Sequence, residues 1–126
     1  DAVNGGLKWK FTRPDGSLGY SSPVFDKGTV YVAGETTLYR LNAETGKEEW
    51  RATVGGKSVS LPSVVTPTIP TSGRVYVGSD GAGLTAFNVA DGAPVWNFRG
   101  KVSNDWFGPP LAIGDTVYVS TYNRYV

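Results

Sequence analysis

The feature that most constrains the fold of this chain is an internal repeat of about 44 residues. The apolar core Val-Tyr-Val occurs three times, beginning at Val30, Val75 and Val117, at intervals of 45 and 42 residues. A tryptophan and then a proline precede each core in the same order. These markers are Trp9, Trp50 and Trp96, and Pro23, Pro67 and Pro110. A fixed order at a near-constant period predicts supersecondary units that stack on one another.

Each unit contains four short stretches separated by turn residues. In the first unit they are residues 23–25, 29–33, 38–42 and 47–54. Turns at such short intervals favour antiparallel hairpins, and no segment has the 3.6-residue apolar period of a helix. Val-Tyr-Val is typical of a strand covered on both faces, whereas the charged fourth stretch is typical of an outer edge strand. The pattern predicts an all-β protein of antiparallel four-stranded propeller blades.

The repeat divides the 126 residues into about 2.5 to 3 blades that form a single propeller segment. We expect an outer strand over about 7–12, blades over about 22–54 and 65–99, and a partial blade over about 110–126. Propellers typically contain four to eight blades. Two interpretations therefore stay open: the chain is part of a larger propeller, or it is an open wedge that closes by head-to-tail oligomerisation.

One phrase, Asn-x-x-x-Gly-x-x-x-Trp, occurs in both complete units, within residues 41–50 and 87–96. The Asn side chain can bond the backbone of the turn, and the Gly supplies a positive φ. The Trp, four residues later, can bury its ring against the next blade while its N–H finds one acceptor. We interpret the phrase as a structural lock rather than a ligand site. Its residues are Asn42, Gly46, Trp50, Asn88, Gly92 and Trp96, with Trp9 as a further lock tryptophan.

This phrase resembles the tryptophan docking motif of the pyrroloquinoline-quinone (PQQ) type β-propeller repeat, Ala-x-Asp-x-x-x-Gly-x-x-x-Trp. Residues 86–96 match with Asn88 in place of Asp, and residues 40–50 match with Arg40 in place of Ala and Asn42 in place of Asp. The resemblance implies a periplasmic or extracellular protein. It also implies a non-catalytic binding or scaffolding module, which recognises a protein partner or the remaining blades of a parent propeller.

Composition restricts the chemistry that this chain can perform. Cys, His and Met are absent, which excludes disulfides, thiolate metal sites and a Ser-His-Asp triad within the chain. A net charge of +1 gives no electrostatic case for nucleic acid, and no apolar window is long enough for a membrane-spanning helix. We therefore predict no enzyme, no metal and no cofactor. The alternative implied by the resemblance is part of a quinoprotein dehydrogenase that uses PQQ and Ca²⁺.

The connection before the third unit is the main candidate binding segment. It reads Asn-Asp-Trp-Phe-Gly-Pro-Pro over residues 104–110, and its neighbouring aromatics should point in opposite directions on an extended segment. Exposed tryptophans are typical of protein-binding hot spots and of sugar-stacking platforms, so a secreted carbohydrate-binding propeller is a further alternative. The candidate residues are Asn104, Asp105, Trp106 and Phe107, with Arg13, Tyr20 and Lys57 from the equivalent connections.

Overall fold

The structure is a computed structural model that describes residues 1–14, 22–34, 36–55, 67–68, 73–79, 82–99, 107 and 109–120. These residues form ten β-strands and no helix. The strands are β1 (Val24–Asp26), β2 (Thr29–Ala33), β3 (Thr37–Asn42), β4 (Glu48–Thr53), β5 (Pro67–Thr68), β6 (Arg74–Ser79), β7 (Gly83–Asn88), β8 (Pro94–Phe98), β9 (Leu111–Ile113) and β10 (Thr116–Tyr118).

The strands form two four-stranded antiparallel sheets and one hairpin. The sheet orders are β1-β2-β3-β4 and β5-β6-β7-β8, and the hairpin pairs β9 with β10. Each sheet follows chain order, as expected of a propeller blade in which each strand pairs with the next. We call the two sheets the first and second blades and the hairpin the third blade. The predicted all-β blade architecture is confirmed.

Tight turns set the register of the inner hairpins. In the first blade, Asp26 pairs with Thr29, so the loop contains only Lys27 and Gly28. Both loop residues have positive φ, 45° and 80°. This is the type I′ geometry, whose twist matches that of the flanking strands.

Apolar cores lie between successive blades. Tyr31 and Leu38 of the first blade pack with Val75 and Phe87 of the second, and all four side chains are at most 1% exposed. Full burial of a Val, Leu or Phe side chain stabilises the fold by roughly 1.5–3 kcal/mol. A second core, on the opposite face of the second blade, contacts the third blade through Ala112, Val117 and Val119.

Burial of the repeated Val-Tyr-Val core depends on the position of the blade in the row. All three residues of the core are buried in β6, which has a blade on each side. The equivalent tyrosine of β10, Tyr118, is 52% exposed, whereas Tyr31 and Tyr76 are 1% and 5% exposed. The sequence prediction of a strand covered on both faces therefore holds fully in the middle blade.

Residues 7–12 differ from the outer strand that the sequence predicts. They have no strand pairing in the described chain. A strand is defined by hydrogen bonds to a neighbour, and no described strand lies beside this segment to supply them. The segment instead lies on the outer face of the first blade, where Phe11 makes an edge-to-face contact with Tyr39 at 5.3 Å between ring centroids. The described part of the chain contains no helix that is long and apolar enough to cross a membrane.

Candidate functional site

Trp50 links the first blade to the second. Its indole Nε1 donates a hydrogen bond of 2.9 Å to the backbone carbonyl of Val89. Its ring lies over Gly92, so closely that a Cβ on Gly92 would come within 2.6 Å of the ring carbons. Gly92 also has a φ of 73°, which side chains with a Cβ resist. Two independent constraints therefore require glycine at this position.

Trp9 repeats this arrangement on the first blade. Its Nε1 donates to the carbonyl of Ala43 at 2.9 Å, and its ring covers Gly46, whose φ is 70°. A Cβ on Gly46 would also lie 2.6 Å from the ring. Each of these tryptophans thus reaches forward onto a turn of the following blade, where it contacts one carbonyl and one glycine.

The turn that receives the indole is built by an asparagine and a glycine. We call residues Asn42–Gly46 and Asn88–Gly92 Asx–Gly turns, where Asx stands for Asn or Asp. In the first, Asn42 Oδ1 accepts from the backbone N–H groups of Glu44 and Thr45 at 3.1 and 2.9 Å, and the Gly46 N–H donates to the Asn42 carbonyl at 2.9 Å. The side chain acts here as an acceptor, a role that Asp performs equally well.

The second Asx–Gly turn repeats one of the side-chain bonds and the backbone bond of the first. Asn88 Oδ1 accepts from the Ala90 N–H at 3.0 Å, and the Gly92 N–H donates to the Asn88 carbonyl at 2.8 Å. The residue after the Asx is Ala43 in one turn and Val89 in the other, and its carbonyl is the indole acceptor in both. The repeated phrase therefore encodes a repeated binding geometry.

A β-bulge lies next to the lock tryptophan of each four-stranded blade, Trp50 and Trp96. In the first blade, Arg40 pairs with Trp50 and the next residue, Leu41, pairs with Glu48, so that Glu49 is extra. The second blade shows the same shift at the same place, where Ala86 pairs with Trp96 and Phe87 with Pro94. A bulge bends the strand and re-aims the neighbouring side chain. The bulge next to each tryptophan places it for contact with the following blade.

Arg40 strengthens the lock between the first two blades. Its Nη1 donates to the Val89 carbonyl at 2.9 Å, so this oxygen accepts from both Arg40 and Trp50. Its Nε lies 2.9 Å from Glu49 Oε2, in an ion pair without hydrogen-bond alignment, and Nη2 contacts Thr29 Oγ1 at 3.3 Å. Ala86 occupies the equivalent position of the second blade and has no such reach.

The surroundings of Arg40 also shift the pKa of one tyrosine, Tyr31. Burial raises the pKa of the Tyr31 hydroxyl above its ordinary value of 10.0, the Arg40 charge partly offsets this rise, and the carboxylates of Asp26 and Glu49 reinforce it. The physical basis is that burial and nearby negative charge both disfavour the phenolate. Tyr31 is thus held in its neutral form between the blades.

A third Asx–Gly turn, which is not among the sequence predictions, lies at residues 1–5. Asp1, Gly5 and Trp9 have the spacing of Asn42, Gly46 and Trp50, and this spacing is the signal by which the turn could be found. The Gly5 N–H donates to the Asp1 carbonyl at 2.9 Å, the Val3 N–H donates to Asp1 Oδ1 at 2.9 Å, and Gly5 has a φ of 72°. These three values reproduce the two turns described above.

The connections between blades begin at the end of the sheets opposite to the Asx–Gly turns. Thr53, the last residue of β4, pairs with the first residue of β3, and Phe98, the last of β8, pairs with Leu84 near the start of β7. We call this side of the row the loop end. The Asx–Gly turns, between β3 and β4 and between β7 and β8, lie at the other end, which we call the turn end.

The structure describes only two of the predicted binding residues. Phe107 is 7% exposed and packs with Tyr76, Leu84 and Ala86, and its ring lies 6.4 Å from that of Phe98. Phe107 therefore belongs to the core, where a ligand does not reach it. The predicted residues Asn104, Asp105, Trp106, Tyr20 and Lys57 lie outside the described residues.

Arg13, the second of these residues, is partly buried beside an open apolar pocket of about 480 Å³ on the outer face of the first blade. Aromatic side chains of the N-terminal segment form one wall, and aliphatic side chains of the blade form the floor. The lining includes Trp9, Phe11, Phe25, Val30, Val32 and Leu41. Arg13 therefore lies next to an apolar face of the first blade.

The described residues contain no cluster of three or more His, Cys, Asp or Glu side chains that could hold a metal ion.

Comparison with known proteins identifies similar sequences and folds. The family model described as "Outer membrane protein assembly factor BamB" matches residues 1–104 and 63–126. A serine/threonine-protein kinase AfsK of Streptomyces griseus is 32% identical over 97% of this chain and 16% of its own length. BamB of Salmonella typhimurium is 33% identical over 71% of this chain and 24% of its own length. The chain therefore spans less than a quarter of either relative.

A solved structure supports the same fold. BamB from Moraxella catarrhalis superposes with a TM-score of 0.70 over 91% of this chain and 34% of that chain, at 18% sequence identity. At this identity the likeness shows the fold alone. The described blades thus correspond to about a third of that structure.

Proposed function

Because the chain belongs to the family of the outer membrane protein assembly factor BamB, we propose that it is a non-catalytic scaffold that binds a protein partner through the loop end of its blades. The observation that carries the proposal is the pair of indole locks at the turn end. They fix successive blades with one carbonyl and one glycine each. Blades fixed in this way form a rigid frame, on which the connecting segments provide the recognition surface.

Chain topology favours the loop end as the recognition surface. The turn end is occupied by short turns whose polar groups bond within the turn, as at Asn42 and Asn88. The longer inter-blade connections start at the loop end, after Thr53 and Phe98. The predicted candidates Asn104, Asp105, Trp106 and Lys57 belong to these connections, and Tyr20 belongs to the segment before β1. Phe107 anchors the connection after Phe98 in the core.

The family supports a proposal for the partner class and the location. The relatives named as outer membrane protein assembly factors suggest a partner within the machinery that assembles outer-membrane proteins, and hence a periplasmic location. The proposal includes no cofactor and no catalytic step. Two alternatives stay open from the sequence: part of a PQQ- and Ca²⁺-dependent quinoprotein, and a secreted carbohydrate-binding propeller.

A binding measurement tests this proposal. The probe is an outer-membrane protein assembly complex purified without its BamB subunit, with the 126-residue chain immobilised on a biosensor. We expect saturable binding that Trp106→Ala weakens at least tenfold and that Lys47→Ala, an exposed substitution at the turn end, leaves unchanged. Absence of saturable binding, or loss of binding only with Lys47→Ala, contradicts the proposal. In parallel, tight calorimetric binding of PQQ with Ca²⁺ would favour the quinoprotein alternative.

A further inference from the structure

The turn beneath Trp50 contains a dipeptide whose backbone can react with its own side chain. Asp91 and Gly92 are the last two residues of the Asx–Gly turn Asn88–Gly92. A backbone nitrogen can attack the carboxyl carbon of a preceding aspartate, and glycine allows this attack most readily because it has no side chain to hinder it. The first blade has Thr45 before the glycine of its turn, and a threonine side chain has no carbonyl carbon to attack. The second turn therefore carries a reactivity that the first lacks.

The lock itself requires the glycine that makes this pair reactive. Gly92 has a φ of 73°, and a Cβ at this position would lie 2.6 Å from ring carbons of Trp50. A residue with a side chain would therefore remove the reactivity and the indole contact together. The contact between the blades and the reactive dipeptide are two consequences of the same residue.

The folded turn holds both reacting groups in other hydrogen bonds. The Gly92 N–H donates to the Asn88 carbonyl at 2.8 Å, and Asp91 Oδ1 accepts from the Ala93 N–H at 3.0 Å. Cyclisation requires the Gly92 N–H to leave its acceptor and the peptide plane before Gly92 to turn towards the carboxyl group. Asp91 is exposed, whereas Gly92 is buried with the Trp50 ring over it. The nitrogen is therefore the reacting group that the indole shields.

We propose that Asp91 is a latent isoaspartate site, which the Trp50 indole keeps unreacted and which reacts when the lock between the first two blades opens. The Gly92 nitrogen attacks Cγ of the protonated Asp91 carboxyl group. The N–Cγ bond forms, the Cγ–hydroxyl bond breaks, and the hydroxyl group leaves with the N–H proton as water. Water then adds to one of the two carbonyls of the five-membered succinimide. Opening at the former backbone carbonyl gives isoaspartate, and opening at Cγ restores aspartate.

Isoaspartate at this position prevents the lock from closing again. The product places one additional methylene group in the main chain of the turn, between the Asn88 carbonyl and the Gly92 N–H that it accepts from at 2.8 Å. The glycine then no longer lies where the Trp50 ring covers it. A single opening that lasts long enough for reaction is thereby converted into a permanent loosening of the two blades. This inference does not rest on the proposed protein-binding function.

Peptide mapping by tandem mass spectrometry measures isoaspartate at position 91 during incubation in mildly acidic buffer, in which part of the carboxyl groups is protonated. The reference is the same 126-residue chain unfolded in guanidinium chloride. We expect isoaspartate to form roughly tenfold or more slowly in the folded wild type than in the unfolded chain, because the reaction waits for local opening of the turn. Trp50→Ala should raise the rate in the folded chain by roughly fivefold or more, because the ring no longer covers Gly92.

Trp9→Ala is the matched control. It removes the same kind of side chain from the turn Asn42–Gly46 and weakens a lock of the same geometry, but it leaves Trp50 over Gly92. The rate at position 91 should therefore stay at the wild-type value. Equal rates in the folded and unfolded wild type, a Trp50→Ala rate equal to that of wild type, or an equal increase with Trp9→Ala would each overturn the proposal.

Circular dichroism verifies that both variants keep the β-sheet signal of the wild type. Where either variant loses this signal, Trp50→Phe and Trp9→Phe replace the pair. Phenylalanine keeps a smaller ring and lacks the indole donor, which bonds the Val89 carbonyl in one lock and the Ala43 carbonyl in the other. The expected order is the same, with faster formation of isoaspartate at position 91 in Trp50→Phe than in Trp9→Phe, and the reverse order or equal rates would overturn the proposal.

Discussion

Substitution of Gly92 by alanine is the most informative perturbation of the lock between blades. The added Cβ meets two penalties. The φ of 73° costs an L-residue about 1–2 kcal/mol. The position of the Cβ, 2.6 Å from the Trp50 ring carbons, forces the indole off the turn. Gly73→Ala carries only the first penalty, since its φ is 69° and no described atom lies within 4 Å of the new Cβ.

The difference in the free energy of unfolding between Gly92→Ala and Gly73→Ala measures how much the contact of Trp50 with the Asn88–Gly92 turn stabilises the fold. Truncation of a fully buried aromatic side chain costs about 3–5 kcal/mol. Trp50 is partly buried, and displacement retains some of its contacts, so we expect about 2–3 kcal/mol beyond the Gly73→Ala value. Loss of the 2.9 Å hydrogen bond to Val89 is included in this figure. The expected order of stability is wild type, then Gly73→Ala, then Gly92→Ala.

Urea unfolding followed by far-UV circular dichroism measures these differences without using tryptophan as the reporter. With a typical urea dependence of about 1–3 kcal/mol per molar, the Gly92→Ala midpoint should fall roughly 1 M or more below that of Gly73→Ala. A Trp50→Ala background completes the test, because Gly92→Ala should then cost no more than Gly73→Ala. Equal midpoints for the two glycine variants in the wild-type background would refute the reasoning.

Three further predictions concern the same region. Arg40→Ala should lower the free energy of unfolding by about 1–2 kcal/mol, because it removes a hydrogen-bond donor to the Val89 carbonyl. Arg51→Ala, at a half-exposed ion pair, should change the free energy of unfolding by less than about 0.5 kcal/mol. Equal urea midpoints for the two variants would contradict this prediction. Asn42→Ala should lower the free energy of unfolding by about 1–2 kcal/mol, and Asn42→Asp should lower it much less, because the turn needs only a hydrogen-bond acceptor at this position. Thermal unfolding of both variants checks this order of stability. Since the pKa of Tyr31 is raised by folding, its contribution to stability is full below pH 10 and is lost as the pH rises through the folded pKa. Tyr31→Phe should therefore flatten the decline of the unfolding midpoint above pH 10, and an unchanged decline would exclude Tyr31 as its source.

Much of the fold can be predicted from the sequence because the repeated residues have strong preferences for turns or for buried strands. The glycines with positive φ and the Val-Tyr-Val cores mark turns and inner strands, and β1 to β4 fall close to the predicted stretches. Residues 7–12 were harder to predict, because a strand also needs a partner for its hydrogen bonds. A single segment's pattern does not reveal whether that partner is present.

The site could be predicted only in part. Alternation on an extended segment predicts that Trp106 and Phe107 point in opposite directions, but it does not say which one enters the core, and the structure places Phe107 there. Arg40 is visible in the sequence only as a departure from the motif's alanine, because its contact with Val89 spans 49 residues of sequence. The turn at Asp1–Gly5 has a readable signal, yet it lies before the first repeated apolar core by which the repeats are aligned.

Binding through the loop end is tested most directly by hydrogen–deuterium exchange of the chain with and without the outer-membrane protein assembly complex that lacks its BamB subunit. If the blades form a rigid frame that binds through the loop end, binding should slow exchange next to Thr53, Phe98 and Phe107. The turn-end amides at Lys27–Gly28 and Asn42–Gly46 should exchange at the same rate in both samples. Protection confined to the turn end, or no change at either end under saturating conditions, would contradict the claim.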